Sequence, residues 1–292
     1  MIGIDWGTSS FRAFRIVDAG VTDRIASAFG IMQIAENGFE AHLRQAIGPW
    51  LAAGETRILM SGMIGSRQGW VEAAYLPCPA DTASIAEALT QVPFCGCDLR
   101  IVPGLCGTDT VGTPEVMRGE ETQIIGAGAT GIVCLPGSHS KWVRVSACGR
   151  IEGFETIMSG EIFAALRKQT ILGRMMPEAP HDNAAFDRGV ARSGEPGHLL
   201  HHLFGVRALG LFDRLAPEQS ASYLSGLLIG HEVRAYLLPG APGSAHVTLL
   251  GSENLCALYT RAIIHCGGTA STGPADAAAS GLALIGSMTR WT

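Results

Sequence analysis

Charge is scarce in this chain. Only 16% of its 292 residues are Asp, Glu, Lys or Arg, and the net charge is −5. It has no lysine-rich face or tail, which argues against nucleic acid as a partner. Long uncharged apolar runs are missing as well. The stretch from Tyr223 to Leu238 is apolar but holds His231, Glu232 and Arg234. A membrane span would exclude those side chains, so a buried amphipathic helix is expected there and no membrane partner. The 8 cysteines are scattered, and only Cys95-Gly96-Cys97 is close-set. Neither a second pair nor a histidine pair completes a zinc spacing. Cys134 lies in an apolar strand, as a small hydrophobe would. There is no secretory leader, so reduced thiols in the cytoplasm are the expectation.

Apolar content is plentiful. Hydrophobic residues make up 47% of the chain and the mean hydropathy is positive, so each half can bury a substantial core. Low charge with this much apolar surface suits a compact enzyme, and is compatible with a homo-oligomer.

Two segments share one layout: apolar strand, tight Gly-Ser/Thr turn, second strand. They are Met1 to Val17 (MIGIDWGTSSFRAFRIV) and Gly131 to Val145 (GIVCLPGSHSKWVRV). An offset of about 130 residues puts Gly7 on Gly137, Thr8 on Ser138 and Ser10 on Ser140. Such a hairpin wraps phosphate: glycine admits close approach, and turn N–H groups and hydroxyls donate to the oxygens. The first segment has Asp5 where the second has Leu135, so only the first can hold a metal at that place.

Helices are expected over Phe39–Ala52, Ser84–Gln91, Glu115–Gly126, Gly160–Leu172, Glu253–Ile264 and Ala275–Ser287, with a helical insertion over His198–Leu238. Strands are expected around Gly30–Asn37 and over Arg57–Ser61, Leu99–Pro103, Gly153–Met158 and Val247–Leu250. In each half strands cluster and helices follow, which predicts two α/β lobes with mixed sheets, 1–124 and 125–292.

Gly126-Ala127-Gly128-Ala129-Thr130-Gly131 matches a dinucleotide fingerprint, but follows a helix and opens a strand, the reverse of what that motif needs. It is expected to be a connector. No Gly-x-x-x-x-Gly-Lys-Ser/Thr loop is present. Asp5, closing an apolar strand, either caps its turn or holds a hydrated Mg²⁺. In Met117-Arg118-Gly119-Glu120-Glu121-Thr122-Gln123, first-turn carboxylates either complement the helix dipole or accept the proton of an attacking hydroxyl. Arg67, in SGMIGSRQGW, is a surface arginine or a bidentate grip on a substrate carboxylate, with Trp70 closing the sugar face. Lys141 either neutralises phosphate charge or stays solvated. In Gly251-Ser252-Glu253, Ser252 is an N-cap or the turn is a platform for adenine or ribose. His201-His202 lacks a third ligand.

In this order the hairpins, the acidic helix start and the late glycine platform resemble the sugar kinase, hexokinase, actin and heat-shock ATPase superfamily. Finer segments resemble one family within it, the 2-dehydro-3-deoxygalactonokinases: IDWGTSSFRAF, GMIGSRQGW with LPCPA, VMRGEETQIIGA, LPGSHSKWV, SGEIFAALRKQTILG and LLGSENLCALYTRA. The resemblance implies two ribonuclease-H-like lobes with an ATP cleft between them, the actin-like ATPase fold. It also implies ATP- and Mg²⁺-dependent phosphorylation of the 6-hydroxyl of 2-dehydro-3-deoxy-D-galactonate, a small sugar acid. The superfamily's Asp base, in a Gly-Asp-Gln helix start, falls on Glu120, with Glu121 competing. Its substrate-gripping arginine falls on Arg67, with Arg118 beside it. Phosphate binding falls on Gly7, Thr8, Ser9, Ser10, Gly137, Ser138, His139, Lys141 and Gly160, metal binding on Asp5, and the nucleoside on Gly251, Ser252 and Glu253. The alternatives are a kinase of the same fold for another sugar acid or polyol, and an actin-like or chaperone-like ATPase module.

Overall fold

The computed structural model describes residues 1–35, 37–94, 96–237 and 246–292. The chain opens with β1 (Ile2–Trp6), β2 (Phe11–Val17) and β3 (Gly20–Ser27), an antiparallel meander. The third strand therefore comes earlier than the sequence suggested. Asp18 and Ala19 take φ of 48° and 62°, a two-residue left-handed turn that sends the chain straight back. Part of the region around 30–37 is a 3-10 turn at Ile31–Gln33 instead, and Glu36 lies outside the described residues. α1 (Phe39–Ala52) has the expected bounds and buries Phe39, Leu43, Ile47 and Trp50, a single helical face.

β4 (Arg57–Ser61) runs parallel to β1 and sets Ser61 opposite Asp5. Next come β5 (Tyr75–Pro77), α2 (Thr82–Glu87), β6 (Thr90–Val92), β7 (Asp98–Ile101), β8 (Gly104–Thr108) and β9 (Pro114–Met117). The expected Ser84–Gln91 helix is cut short because residues 90–92 pair with β7. Likewise the helix expected from Glu115 begins only at Glu120. Residues 114–117 pair with β8, and Gly119 turns the chain at φ 103° before α3 (Glu120–Ala127).

The remainder holds β10 (Gly131–Leu135), β11 (Ser140–Val145), β12 (Ile151–Ile157), α4 (Ser159–Gln169), α5 (Asn183–Ser193), α6 (Leu199–Leu211), α7 (Pro217–Tyr236), β13 (His246–Leu249), α8 (Glu253–His265), β14 (Thr269–Thr272) and α9 (Ala277–Met288). The fingerprint-like glycines do run from helix into strand: Gly128 ends α3 in the left-handed region and Gly131 opens β10. Leu238, the expected end of the amphipathic helix, lies outside the described residues, as does Cys95.

A six-stranded sheet has the order β3-β2-β1-β4-β7-β6 and a five-stranded sheet the order β12-β11-β10-β13-β14. In both, a 3-2-1 run is extended by two strands parallel to its first, and in the six-stranded sheet β6 then adds antiparallel to β7. The same ribonuclease-H-like strand order thus occurs twice, and the fold is α/β with mixed sheets.

By internal contacts the chain divides into two compact units. The first comprises Met1–Gly131, Val143–Glu155 and Gly273–Thr292, the second Ile132–Trp142 and Thr156–Thr272. The first has a core of Ile4, Trp6, Phe11, Leu43, Ile58 and Met60. In it α9 packs on α3 with the two backbones touching. A Cβ on Gly126 would fall 1.8 Å from the Ala277 carbonyl oxygen, and one on Gly281 1.8 Å from that of Thr122, so only glycine fits either position. The second unit has cores around Trp142, Phe186 and Tyr259 and, among α5, α6 and α7, around Leu224 and Leu227. Among the described residues no helix is long and apolar enough to cross a membrane.

Candidate functional site

In the first unit, Asp5, Gly62 and the start of α3 converge. A Cβ on Gly62 (φ 96°) would stand 2.7 Å from the Trp6 carbonyl oxygen and 3.3 Å from Asp5 Oδ1. A Cβ on Gly119 would stand 3.1 Å from the Gly62 Cα. Two adjacent glycines thus let a helix N-terminus sit against the strand end that carries Asp5. The side chain of Asp5 is 15% exposed and forms an ion pair with Arg12. Beside it the first hairpin turn closes through a Gly7 N–H to Ser10 carbonyl bond of 2.9 Å. Its carbonyls are braced from beneath, Gly7 by Ile31 N–H at 3.0 Å and Thr8 by Met32 N–H at 3.2 Å. Thr8, Ser9 and Ser10 stay exposed.

The two glutamates of the acidic helix start have different surroundings. Glu121 is fully buried. Its carboxylate accepts the Gly119 N–H at 3.0 and 2.8 Å and the Thr122 hydroxyl at 3.1 Å. Burial, and then the charge of Glu120, push its carboxyl up to about 8. Glu120 is half-buried, and its Oε2 accepts the Arg118 N–H at 2.9 Å.

Arg118 is 8% exposed. Its guanidinium lies 4.4 Å from the centre of the Tyr75 ring, and Nη2 donates to the Ala73 carbonyl at 2.8 Å. Its Nε and Nη1 have no hydrogen-bond partner. Arg67 is 87% exposed and paired with exposed Glu72 at 3.0 Å. Trp70 is half-buried, edge-on to Phe94 at 6.1 Å.

In the second unit, the turn after β10 meets two other glycine positions. A Cβ on Gly160 would lie 2.4 Å from the Gly137 carbonyl oxygen, and one on Gly251 3.4 Å from that of Pro136. The Glu161 N–H donates to the Ser138 carbonyl at 3.0 Å, so the first turn of α4 rests on the hairpin. His139 pairs with Glu161 at the surface. Lys141 is 5% exposed, so it is not the solvated lysine the sequence allowed. Ser252 occupies the N-cap of α8, but its hydroxyl makes no capping bond, and Glu253 is exposed.

A cavity of about 290 Å³ opens beside the Gly137 turn. Gly137, Gly160, Phe163, Leu255, Leu258 and Tyr259 are among its lining residues, giving an apolar slot with glycine backbone at one end. It is at the small end for a ligand site. Behind it lies a buried carboxyl that sequence reasoning missed. Glu232 is 4% exposed and accepts the Trp142 indole N–H at 2.8 Å and the Tyr259 hydroxyl at 2.8 Å. These residues lie on separate elements far apart in sequence, and no local motif marks them. His202 pairs with His231 at 3.0 Å without a third ligand. Among the described residues no group of three or more His, Cys, Asp or Glu side chains could hold a metal ion.

Comparison with known proteins identifies the family. The sequence model of the 2-keto-3-deoxy-galactonokinase family matches residues 5–285. A Rhizobium meliloti (strain 1021) protein named "Probable 2-dehydro-3-deoxygalactonokinase DgoK1" is 42% identical over 270 residues, 89% of this chain and 87% of that protein. The 2-dehydro-3-deoxygalactonokinase of Escherichia coli (strain K12) is 35% identical over 264 residues, 89% of this chain and 88% of that one. A crystal structure of a Sinorhizobium meliloti protein assigned to the same kinase superposes with a TM-score of 0.89 at 39% identity, covering 97% of each chain. With its paired sheets, its hairpins and a match over nearly its whole length, the chain belongs to the 2-keto-3-deoxy-galactonokinase family.

Proposed function

We propose that this chain transfers the γ-phosphoryl group of ATP to the 6-hydroxyl of 2-dehydro-3-deoxygalactonate, giving the 6-phosphate and ADP. Family membership supports the reaction. The residue roles rest on one observation, the meeting of Asp5, Gly62, Gly119 and Glu120 in the first unit.

Glu120 orients the 6-hydroxyl and takes its proton. Its half-buried carboxylate can be reached, whereas Glu121 is sealed and occupied by the backbone of its own helix start. The two readings of the acidic segment thus divide between neighbours, one glutamate for chemistry and one for capping. Arg67 meets the substrate carboxylate. Its exposed pairing with Glu72 is weak enough to exchange. Trp70 covers the sugar face, and Arg118 holds the loop at Ala73 against the start of α3.

The Gly7–Ser10 hairpin donates to phosphate oxygens from its backbone and hydroxyls. Gly137, Ser138, His139 and Gly160 do the same in the second unit, and Lys141, buried in β11, adds positive charge. The adenosine lies in the slot beside Gly137, along the Gly251-Ser252-Glu253 turn. Asp5 fits Mg²⁺: the cation needs only one or two carboxylates, water and phosphate oxygens, and Asp5 offers one partly exposed carboxylate at a strand end. Bound there, Mg²⁺ would offset charge on the phosphates, while Arg12 supplies the countercharge to Asp5. Catalysis is mostly positioning and charge stabilisation.

Glu120→Gln is the test. We expect turnover to fall by a factor of about 10² to 10⁴ with KM for ATP close to wild type. Retained turnover moves the base to Glu121. A panel of aldonic and 2-keto-3-deoxy acids, assayed by ADP release, checks the substrate, and a clear preference for another acid overturns it.

A further inference from the structure

In the second unit, four elements meet at one buried carboxyl. Glu232, on α7, receives the Trp142 indole N–H from β11 and the Tyr259 hydroxyl from α8, each at 2.8 Å. Tyr259 in turn lies 2.8 Å from the hydroxyl of Ser140, the residue that follows His139 of the phosphate hairpin. Ser159, in the first turn of α4, is a further donor beside Glu232. All of these side chains are buried: Trp142 and Tyr259 at 2% exposure, Ser140 at 0% and Ser159 at 8%. The Trp142 ring stacks on Tyr236 at 4.4 Å and 6°, which fixes the direction of its N–H.

The bond directions follow from the donor inventory. An indole N–H only donates, and an ionised carboxylate only accepts. Tyr259 has one proton, and Glu232 receives it. Ser140 must therefore donate to Tyr259, so its hydroxyl is turned by a carboxylate two hydrogen bonds away. Burial raises the Glu232 carboxyl, and the nearby donors, Trp142 and Tyr259 among them, oppose that shift. Tyr259 and Ser159 also line the cavity beside Gly137.

We propose that Glu232 is a positioning residue for nucleotide binding: through Tyr259 and Ser140 it sets the phosphate hairpin, and through Tyr259 and Ser159 the wall of the adjoining slot. This rests on the reading that the slot takes ATP. Such a network is cooperative and keeps its geometry only while every member is satisfied. Glu232→Gln is nearly isosteric but reverses one bond. Its amide oxygen accepts from Trp142, its NH₂ must donate to Tyr259, and the Tyr259 hydroxyl then points at Ser140.

The test compares Glu232→Gln, Tyr259→Phe and the double variant in the full-length chain. We expect KM for ATP to rise about tenfold in each single variant. KM for the sugar acid, and kcat at saturating ATP, should stay within about twofold. The double variant should be no worse than the poorer single, as for residues acting through one chain. A purely structural role would lower melting temperature and active fraction while leaving KM for ATP unmoved, and that result overturns the proposal. If Glu232→Gln fails to fold, Tyr259→Phe decides alone. Leu258→Trp, which fills the slot, tests the underlying reading separately, with ADP binding followed by calorimetry. Normal ADP affinity there would remove the nucleoside from the slot. Lost affinity there, with wild-type KM for ATP in Glu232→Gln and Tyr259→Phe, keeps the slot and refutes the role of Glu232.

Discussion

Gly160→Ala puts a methyl group where only backbone lies. The new Cβ would stand 2.4 Å from the Gly137 carbonyl oxygen, 2.8 Å from the Ser138 Cα and 3.0 Å from the Gly137 carbonyl carbon. None of these atoms can rotate away, so either α4 or the hairpin must move. Overpacking of this kind costs about 1–3 kcal/mol, and the better helix propensity of alanine returns at most about 1 kcal/mol. A net loss of about 1–2 kcal/mol should lower the melting temperature by about 2–8 °C in a chain of this size. Because the displaced atoms belong to the hairpin, KM for ATP should rise with it. Gly137→Ala is the control: the nearest atom to its Cβ is 3.9 Å away, so melting should stay within about 1 °C. Its methyl would nonetheless stand where phosphate must approach the backbone, and KM for ATP should rise at least tenfold. Thermal melts and steady-state kinetics on the two variants separate packing from binding. Unchanged melting of Gly160→Ala would refute the packing argument, and unchanged KM for ATP in Gly137→Ala would refute the phosphate cradle.

The raised carboxyl of Glu121 gives a pH signature. Its folded value, about 8, lies above the ordinary one, so its contribution to stability is complete below about pH 4.5 and lost as pH rises through 8. Glu121→Gln should remove a slope of up to about 1.4 kcal/mol per pH unit between those limits. Urea unfolding at pH 6 and 8.5 checks this, and parallel pH curves for the two proteins would contradict it. Arg118→Met should have little effect on stability. It gives up one charged hydrogen bond and the contact with Tyr75 but also relieves two buried, unpaired guanidinium nitrogens, so the terms nearly cancel to within about 1 kcal/mol. KM for the sugar acid should nonetheless rise about tenfold, and a wild-type KM would remove Arg118 from the substrate side.

Much of this was legible in the sequence where local chemistry decides the outcome. The paired hairpins could be read because glycine and hydroxyl residues recur at one offset, and α1 because its apolar spacing is helical. β3 could not, since its turn uses Ala19 at φ 62°, a residue that gives no turn signal, and the strand itself is largely exposed and polar. Residues 115–117 looked helical beside the Glu-rich segment, and pairing with β8, a tertiary choice, made them part of a strand. At the site, the sequence placed the acidic pair at a helix start but could not rank Glu120 and Glu121, because burial separates them. The group around Glu232 was out of reach because Ser140, Glu232 and Tyr259 lie on three different elements.

The helix that begins with Glu120 leans on α9 through Gly126 and Gly281, yet residues 273–292 come after every residue of the second unit in the chain. On the ribosome, the half that carries Asp5 and Glu120 must therefore wait, unfinished, while the other half is synthesised and free to fold. Its last supporting helix arrives only when residue 288 has cleared the exit tunnel, so the packing of α3 is completed only after translation has passed through both units.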